Sequence, residues 1–375
     1  MKRGVYLVTE KGCMNPNTGA FRHISVGVEE LSKYFDIIQI SPPIFKQSNS
    51  SGNSLPSNRK KKNPVRGLAK DIKTFIKNHA LFFSLYRQIK KAKPDFIYER
   101  IAYLNYNGLL IAKLLSIKHF YELNGIPHYA IRKYYSSHFN FIIKKIETLT
   151  FVYSDFLFIV GSWNKVVELK RNNWVNIENG IENEFLEYFE PVTKQIGTSK
   201  INLVFIGHLM EKNHNPNLLK DVLNNLQYKD LVRLNLIGSQ MDDLLSFCRE
   251  HNIDAVYHGY LNREEIIKVL EYMHVGLIPG GEEYPSFMKI FEYGASKCLV
   301  IAPDLYNLKY WFGPDDILFF KKNSSKDFQD RLNEVIINPN VIKNYGSHIH
   351  ETIKQRFTWP KIFSEICSVI DSKLK

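Results

Sequence analysis

The chain has 375 residues, 44% of them hydrophobic, which is more than one ordinary core uses, so two domains are expected. Its four cysteines (Cys13, Cys248, Cys298, Cys367) form no CxxC pair, which argues against a zinc site or a disulfide framework and suits a reducing compartment, the cytoplasm by default. The net charge of +12 is uneven, since residues 1–180 carry 28 Lys and Arg against 12 Asp and Glu and the remainder 22 against 26.

In chain order, "GVYLVT" (4–9) reads as a first strand, the loop "EKGCMNPNTGA" follows, and "FRHISVGVEELSKYF" has helical spacing. This strand, loop and helix make a Rossmann-like opening. Its apolar run is far too short for a signal-peptide core, and no segment approaches the roughly 20 apolar residues that span a bilayer, so a soluble or peripheral protein is expected. "FDIIQIS" is the next strand. Residues 59–93 then carry twelve Lys and Arg against one acid, Asp71, interleaved with Leu68, Ile72, Phe75, Ile76, Phe82 and Phe83. Such a stretch either lies against anionic lipid or packs its apolar face on its own domain with a solvated basic face. Nucleic acid is not expected, because no recognition motif accompanies the charge.

Strands "PDFIYER" (94–100), "HFYEL" (119–123), "DFLFIVG" (155–161) and "VNIENGI" (175–181) complete the first half; "ENGIE" reads as a turn, because Asn-Gly favours positive φ, and as a hinge by its position. The alternation then restarts with strands "INLVFIGHL" (201–209), "VRLNLIGS" (232–239), "AVYHGYL", "VGLIPG" and "KCLVIAP", separated by helical patterns. Two α/β halves in tandem follow. Between the last two strands lies "YPSFMKIFEYGAS", in which Pro285 and Ser286 read as helix-start residues. Lys289 and Glu292, three apart, then share one helix face, within reach of one ligand at the positive helix end.

Four stretches, "NPNTGAFRHISVGVEELSKYF", "PDFIYER…YELNG", "ENGIE" and "FIGHLMEKN…SFMKIFEYGASKCLVIAP", resemble the family 4 retaining glycosyltransferases of GT-B fold over essentially the whole chain. The resemblance implies two Rossmann-like domains facing across a cleft. The first, residues 1–180 with a C-terminal helix 358–375 crossing back to it, would bind the acceptor, and the second, 181–357, the donor. It implies transfer of a sugar from a UDP- or GDP-type nucleoside diphosphate sugar to a glycan or lipid-linked glycan acceptor, in cell-surface polysaccharide synthesis, without a metal or other cofactor. Glu292 would hydrogen-bond the ribose hydroxyls, a role suited to an acceptor-only carboxylate. Lys212 and Lys289 would neutralise the departing diphosphate, helped by backbone N–H groups near Phe287 and Met288.

Departures from the family pattern are specific. Tyr284 stands where a first glutamate belongs, with Glu282 or Glu283 as replacements, and Phe287 takes a proline slot after Ser286. His208, after Gly207, replaces an arginine, and Lys212 lies one residue closer than the common spacing. Tyr260 completes the donor-side set, and Asn17, Thr18, Gly19, Glu122 and Asn124 are the acceptor-side set, with an N-cap or structural pair the competing reading for Glu122. For Glu292 the competing reading is a salt bridge to Lys289. A sugar-nucleotide epimerase or hydrolase of the same fold and a non-catalytic nucleotide-binding relative remain the alternatives. Turnover of a donor separates the transferase from the non-catalytic relative. The localisation implied is cytoplasmic, with the inner membrane face as a peripheral site.

Overall fold

The computed structural model describes residues 1–16, 18–42, 64–125, 139–162, 169, 171–196, 200–208 and 214–375, with side chains from 67 onward in the helix that begins at Pro64. The chain divides into two compact units, Met1–Glu178 with Ile362–Lys375, and Asn179–Lys361.

The first unit is built on six parallel strands, β1 (Arg3–Leu7), β2 (Asp36–Ile40), β3 (Phe96–Arg100), β4 (Lys118–Leu123), β5 (Phe156–Val160) and β6 (Trp174–Ile177), in the order β2-β1-β3-β4-β5-β6. β3 and β5 are buried along their whole length, as parallel strands with both faces covered must be. Val5 and Leu7 of β1 pack against Leu85 and Ile89 of the Pro64–Ala92 helix. Elsewhere a Cβ on Gly27 would stand 2.9 Å from the Phe363 ring and 3.2 Å from Tyr6. The Gly19–Ser32 helix thus closes on the C-terminal Trp359–Leu374 helix at a residue without a side chain.

The second unit has β7 (Ile201–His208), β8 (Val232–Ser239), β9 (Ala255–Gly259), β10 (Val275–Leu277), β11 (Leu299–Pro303) and β12 (Ile317–Phe320), all parallel, in the order β12-β11-β10-β7-β8-β9. Counted from β7 this is the 3-2-1-4-5-6 order of dinucleotide-binding sheets, in which the strand order reverses between β7 and β10. Period-two alternation loads both faces. Leu203, Phe205, Leu299 and Ile301 enter one core cluster, and Val204, Ile206, Val300 and Ala302 enter the other.

Three features differ from the sequence reading. β12 and the helices Asn140–Tyr153, Ser325–Ile337 and Asn340–Arg356 were not among the expected elements; "ILFF" alone is too short for periodicity to assign. The "ENGIE" segment is not a positive-φ turn, since neither Asn179 nor Gly180 has positive φ. Instead Ile181 bridges Thr358 in parallel register, with Ile181 N–H donating to Phe357 O at 2.9 Å and Trp359 N–H to Ile181 O at 3.1 Å. Gly180 serves close packing, because its Cβ would lie 2.8 Å from the Trp359 nitrogen. Finally, the helix expected from Pro285–Ser286 starts at Met288, with Phe287 as N-cap. The Asn307 side chain donates to the Pro285 carbonyl at 2.6 Å, so 284–287 is a loop tied to the Tyr306–Trp311 helix.

Candidate functional site

A sheet whose strand order reverses opens a crevice at the carboxyl ends of the two strands flanking the reversal. In the second unit these are β7, which ends in Gly207 and His208, and β10, which leads into residues 278–287 and the eight-residue Met288–Ala295 helix. Tyr293 of that helix closes the sheet below the crevice. Its ring packs where a Gly276 side chain would be, and its hydroxyl accepts from Ile206 N–H at 2.8 Å.

Lys289, in the first turn, reaches toward β7. Its Nζ lies 2.8 Å from His214 Nε2 and 5.3 Å from the centre of the Phe205 ring. Gly207 has φ +152°, and a Cβ there would stand 2.5 Å from Lys289 Nζ, so glycine is needed both for the backbone and for the ammonium. His214 Nδ1 lies 2.6 Å from the His208 carbonyl and must carry its hydrogen to bond there, which leaves Nε2 as the acceptor for Lys289. Burial and the neighbouring Lys289 cation lower the His214 pKa to about 4, so the ring is neutral at physiological pH. The His208 ring is turned to Ser239 Oγ at 2.9 Å.

Glu292 lies one turn on and does not pair with Lys289. Its Oε1 accepts from Arg263 Nη1 at 2.6 Å, while Arg263 Nη2 donates to Glu182 at 2.8 Å and the guanidinium covers the Phe185 ring at 4.1 Å. Met288 is the first helical residue, and Phe287 turns into the apolar core beside Gly281. Ser286 Oγ is buried and has no hydrogen-bond partner among the described residues. Glu283 does not stand open toward the crevice. It accepts from Tyr306 N–H at 2.8 Å and Lys322 Nζ at 2.7 Å, so it ties the loop to the next helix. Tyr284 is buried, and Tyr260 follows the edge strand β9 with two-thirds of its surface exposed. Lys212 lies outside the described residues.

In the first unit the corresponding reversal is at β1 and β3, and the loop after β1 leads to Thr18 and Gly19; Asn17 lies outside the described residues. Thr18 is the N-cap of the Gly19–Ser32 helix, with its hydroxyl donating to Asn15 O at 2.8 Å and accepting from Phe21 N–H at 3.2 Å. A Cβ on Gly19 would meet nothing within 4 Å. Glu122, expected at an open strand end, is fully buried. Arg100 stands beside it in register and Tyr98 shares that face, so Tyr98 OH donates at 2.6 Å and Arg100 Nη1 at 3.3 Å; His23 Nε2 is at 3.1 Å, and Asn124 donates as well. Burial pushes the carboxyl up, but His23, Arg100 and Tyr98 outweigh it and hold it at about 2.

Arg263, Glu182, His214 and Tyr293 were missed by sequence reasoning. His214 had a weak signal, two residues after Lys212; Arg263 had none beyond its place after the Asn262 N-cap.

No family model matches the chain. It is 24% identical over 326 residues to an uncharacterised glycosyltransferase of Methanocaldococcus jannaschii, with 79% of each chain covered. Among solved structures it is similar to sucrose-phosphate synthase from Thermosynechococcus elongatus, with a TM-score of 0.73 at 12% identity over 99% of both chains. HepE from Anabaena, in complex with UDP, gives 0.69 at 12% identity over 99% of this chain and 100% of that one. The lipopolysaccharide outer core galactosyltransferase WaaB gives 0.64 at 16% identity over 100% of both. The chain shares the α/β fold of these GT-B glycosyltransferases, built here from two parallel six-stranded sheets.

Proposed function

We propose that the protein is a retaining glycosyltransferase that takes a sugar from a nucleoside diphosphate sugar, without a divalent ion, and passes it to a glycan or lipid-linked glycan in surface-polysaccharide synthesis. The observation that carries this reading is the placement of Lys289 and Glu292 on one short helix at the β7/β10 reversal. There the helix N-terminus and the Lys289 ammonium offer positive charge to a departing diphosphate, and Glu292 offers acceptor oxygens to ribose hydroxyls. The HepE structures hold UDP and UDP-glucose, which supports a UDP-type donor here. In a retaining transfer the acceptor hydroxyl attacks from the face the leaving group departs, and its proton goes to the departing phosphate. The test is turnover of UDP- and GDP-sugars with the product anomer read by NMR, with and without chelator. An inverted product, or activity lost to chelator and restored by manganese, contradicts the finer reading. Failure to turn over any donor contradicts the transferase itself.

The acceptor side has its own observation. The Pro64–Ala92 helix buries Asp71, Asn78, Leu85 and Ile89 but leaves Leu68, Ile72, Ile76 and Phe83 exposed. At about 100° per residue the four exposed apolar side chains share one stripe, and exposed Lys73, Lys77 and Lys70 follow it around the helix on the side away from the buried residues. This supports a lipid-linked acceptor met at an anionic membrane surface. Ile72→Glu with Ile76→Glu should reduce sedimentation with anionic vesicles and leave donor binding intact; no binding of the wild-type chain at low salt contradicts it. Lys60, Lys61 and Lys62, part of the same basic stretch, lie outside the described residues.

A further inference from the structure

The Lys289 ammonium does not reach the β7/β10 crevice by its own flexibility. A lysine side chain has four rotatable bonds and roughly 2 kcal/mol of rotamer entropy, so an unsupported ammonium samples many positions. Among the described residues three groups from a different part of the chain hold it: the Phe205 ring face beneath it, the bare Gly207 Cα beside it, and the His214 ring nitrogen accepting from it. Of these, His214 alone fixes direction. Its ring stands edge-on to Phe205 with centroids 5.4 Å apart, which sets its plane, and the His208 carbonyl sets its tautomer.

We infer that His214 is a positioning residue for the transfer, whose neutral imidazole aims the Lys289 ammonium at the terminal phosphate of a bound nucleoside diphosphate. The inference rests on the transferase reading and deepens it. A neutral partner suits this role, because a carboxylate in its place would cancel the charge that the leaving diphosphate needs, whereas an imidazole lone pair orients the ammonium and leaves its charge intact. His208 contributes through its main chain, so its ring remains engaged with Ser239 without disturbing the arrangement.

The experiment uses the full chain and three variants. His214→Gln keeps one donor for the His208 carbonyl and one acceptor for Lys289. His214→Leu keeps bulk and removes both. Lys289→Ala removes the group that is aimed. With UDP as the calorimetric probe and UDP-sugar turnover as the kinetic one, His214→Leu should lose about tenfold or more in turnover with a smaller change in KM, and His214→Gln should recover most of it. In the Lys289→Ala background, His214→Leu should cost nothing further. An undiminished cost there would mean a merely structural role and overturns the inference, as does His214→Leu with wild-type turnover. A ligand-free arm separates this from failure of the transferase reading. The His214 imidazole, followed by NMR, should titrate at higher pH in Lys289→Ala, because an adjacent cation has been removed. An unchanged titration removes the contact and the inference with it, whatever the donor proves to be.

Discussion

Each unit presents a carboxylate near the carboxyl end of its sheet, and the two are treated differently. Glu122 in the first unit is fully buried and surrounded by Tyr98, Arg100, His23 and Asn124, which hold its carboxyl at about 2. Glu292 in the second sits on a short helix beside the crevice, paired with Arg263, whose own side chain is 28% exposed and shared with Glu182. A buried, multiply bonded carboxylate organises its surroundings, because any change leaves partners unpaired. A partly exposed carboxylate paired with a partly exposed guanidinium is less tightly enclosed. The difference separates a carboxylate locked into the core from one proposed for binding, although both lie near the carboxyl ends of their sheets.

The largest effect separating them is in stability. Glu122→Ala strands the buried Arg100 guanidinium and should destabilise the first unit by about 3–5 kcal/mol, measured by urea unfolding. Glu292→Ala should cost far less, because Arg263 retains Glu182. Equal costs would erase the distinction.

Acid should resolve the units next. Glu122 has its ordinary pKa of 4.5 lowered to about 2, so its contribution is complete above pH 4.5 and is lost as pH falls toward 2. His214 has its ordinary 6.5 lowered to about 4, so the unfolded chain takes up its proton first and stability falls between about 6.5 and 4. Hydrogen exchange followed separately in each unit should show that His214→Gln reduces the slope of the upper window in the second unit alone, where His258 and His274, also lowered by burial, supply the rest. A change confined to the first unit would contradict the assignment.

The smallest effect is at Gly19. A Cβ there meets nothing within 4 Å, so Gly19→Ala should change the unfolding free energy by no more than an ordinary surface change, about 0.5 kcal/mol. If the loop after β1 approaches substrate closely, turnover should fall all the same. Unchanged turnover would remove Gly19 from the acceptor set.

The strands were legible because parallel strands buried on both faces read as apolar runs, and "INLVFIGHL" and "KCLVIAP" are such runs. Lys289 and Glu292 were legible because one helix carries both. Their partners were not, since Arg263 is 29 residues from Glu292 and His214 is 75 from Lys289, distances over which periodicity carries no information. The partners of Glu122 were hidden for the same reason, since the strand end was visible in "YELNG" but not the His23 and Arg100 that enclose it. At "ENGIE" a local preference for a turn lost to the Trp359 backbone packing on Gly180.

The most direct measurement is calorimetric titration of UDP and GDP into the wild-type chain and Glu292→Ala. Two charge-assisted hydrogen bonds to ribose, each contributing about 1.5–3 kcal/mol, should be lost. One of the two nucleotides should bind the wild-type chain, and should bind Glu292→Ala at least tenfold more weakly with the melting temperature little changed. Equal affinity for both chains would contradict the placement of the donor at the β7/β10 crevice.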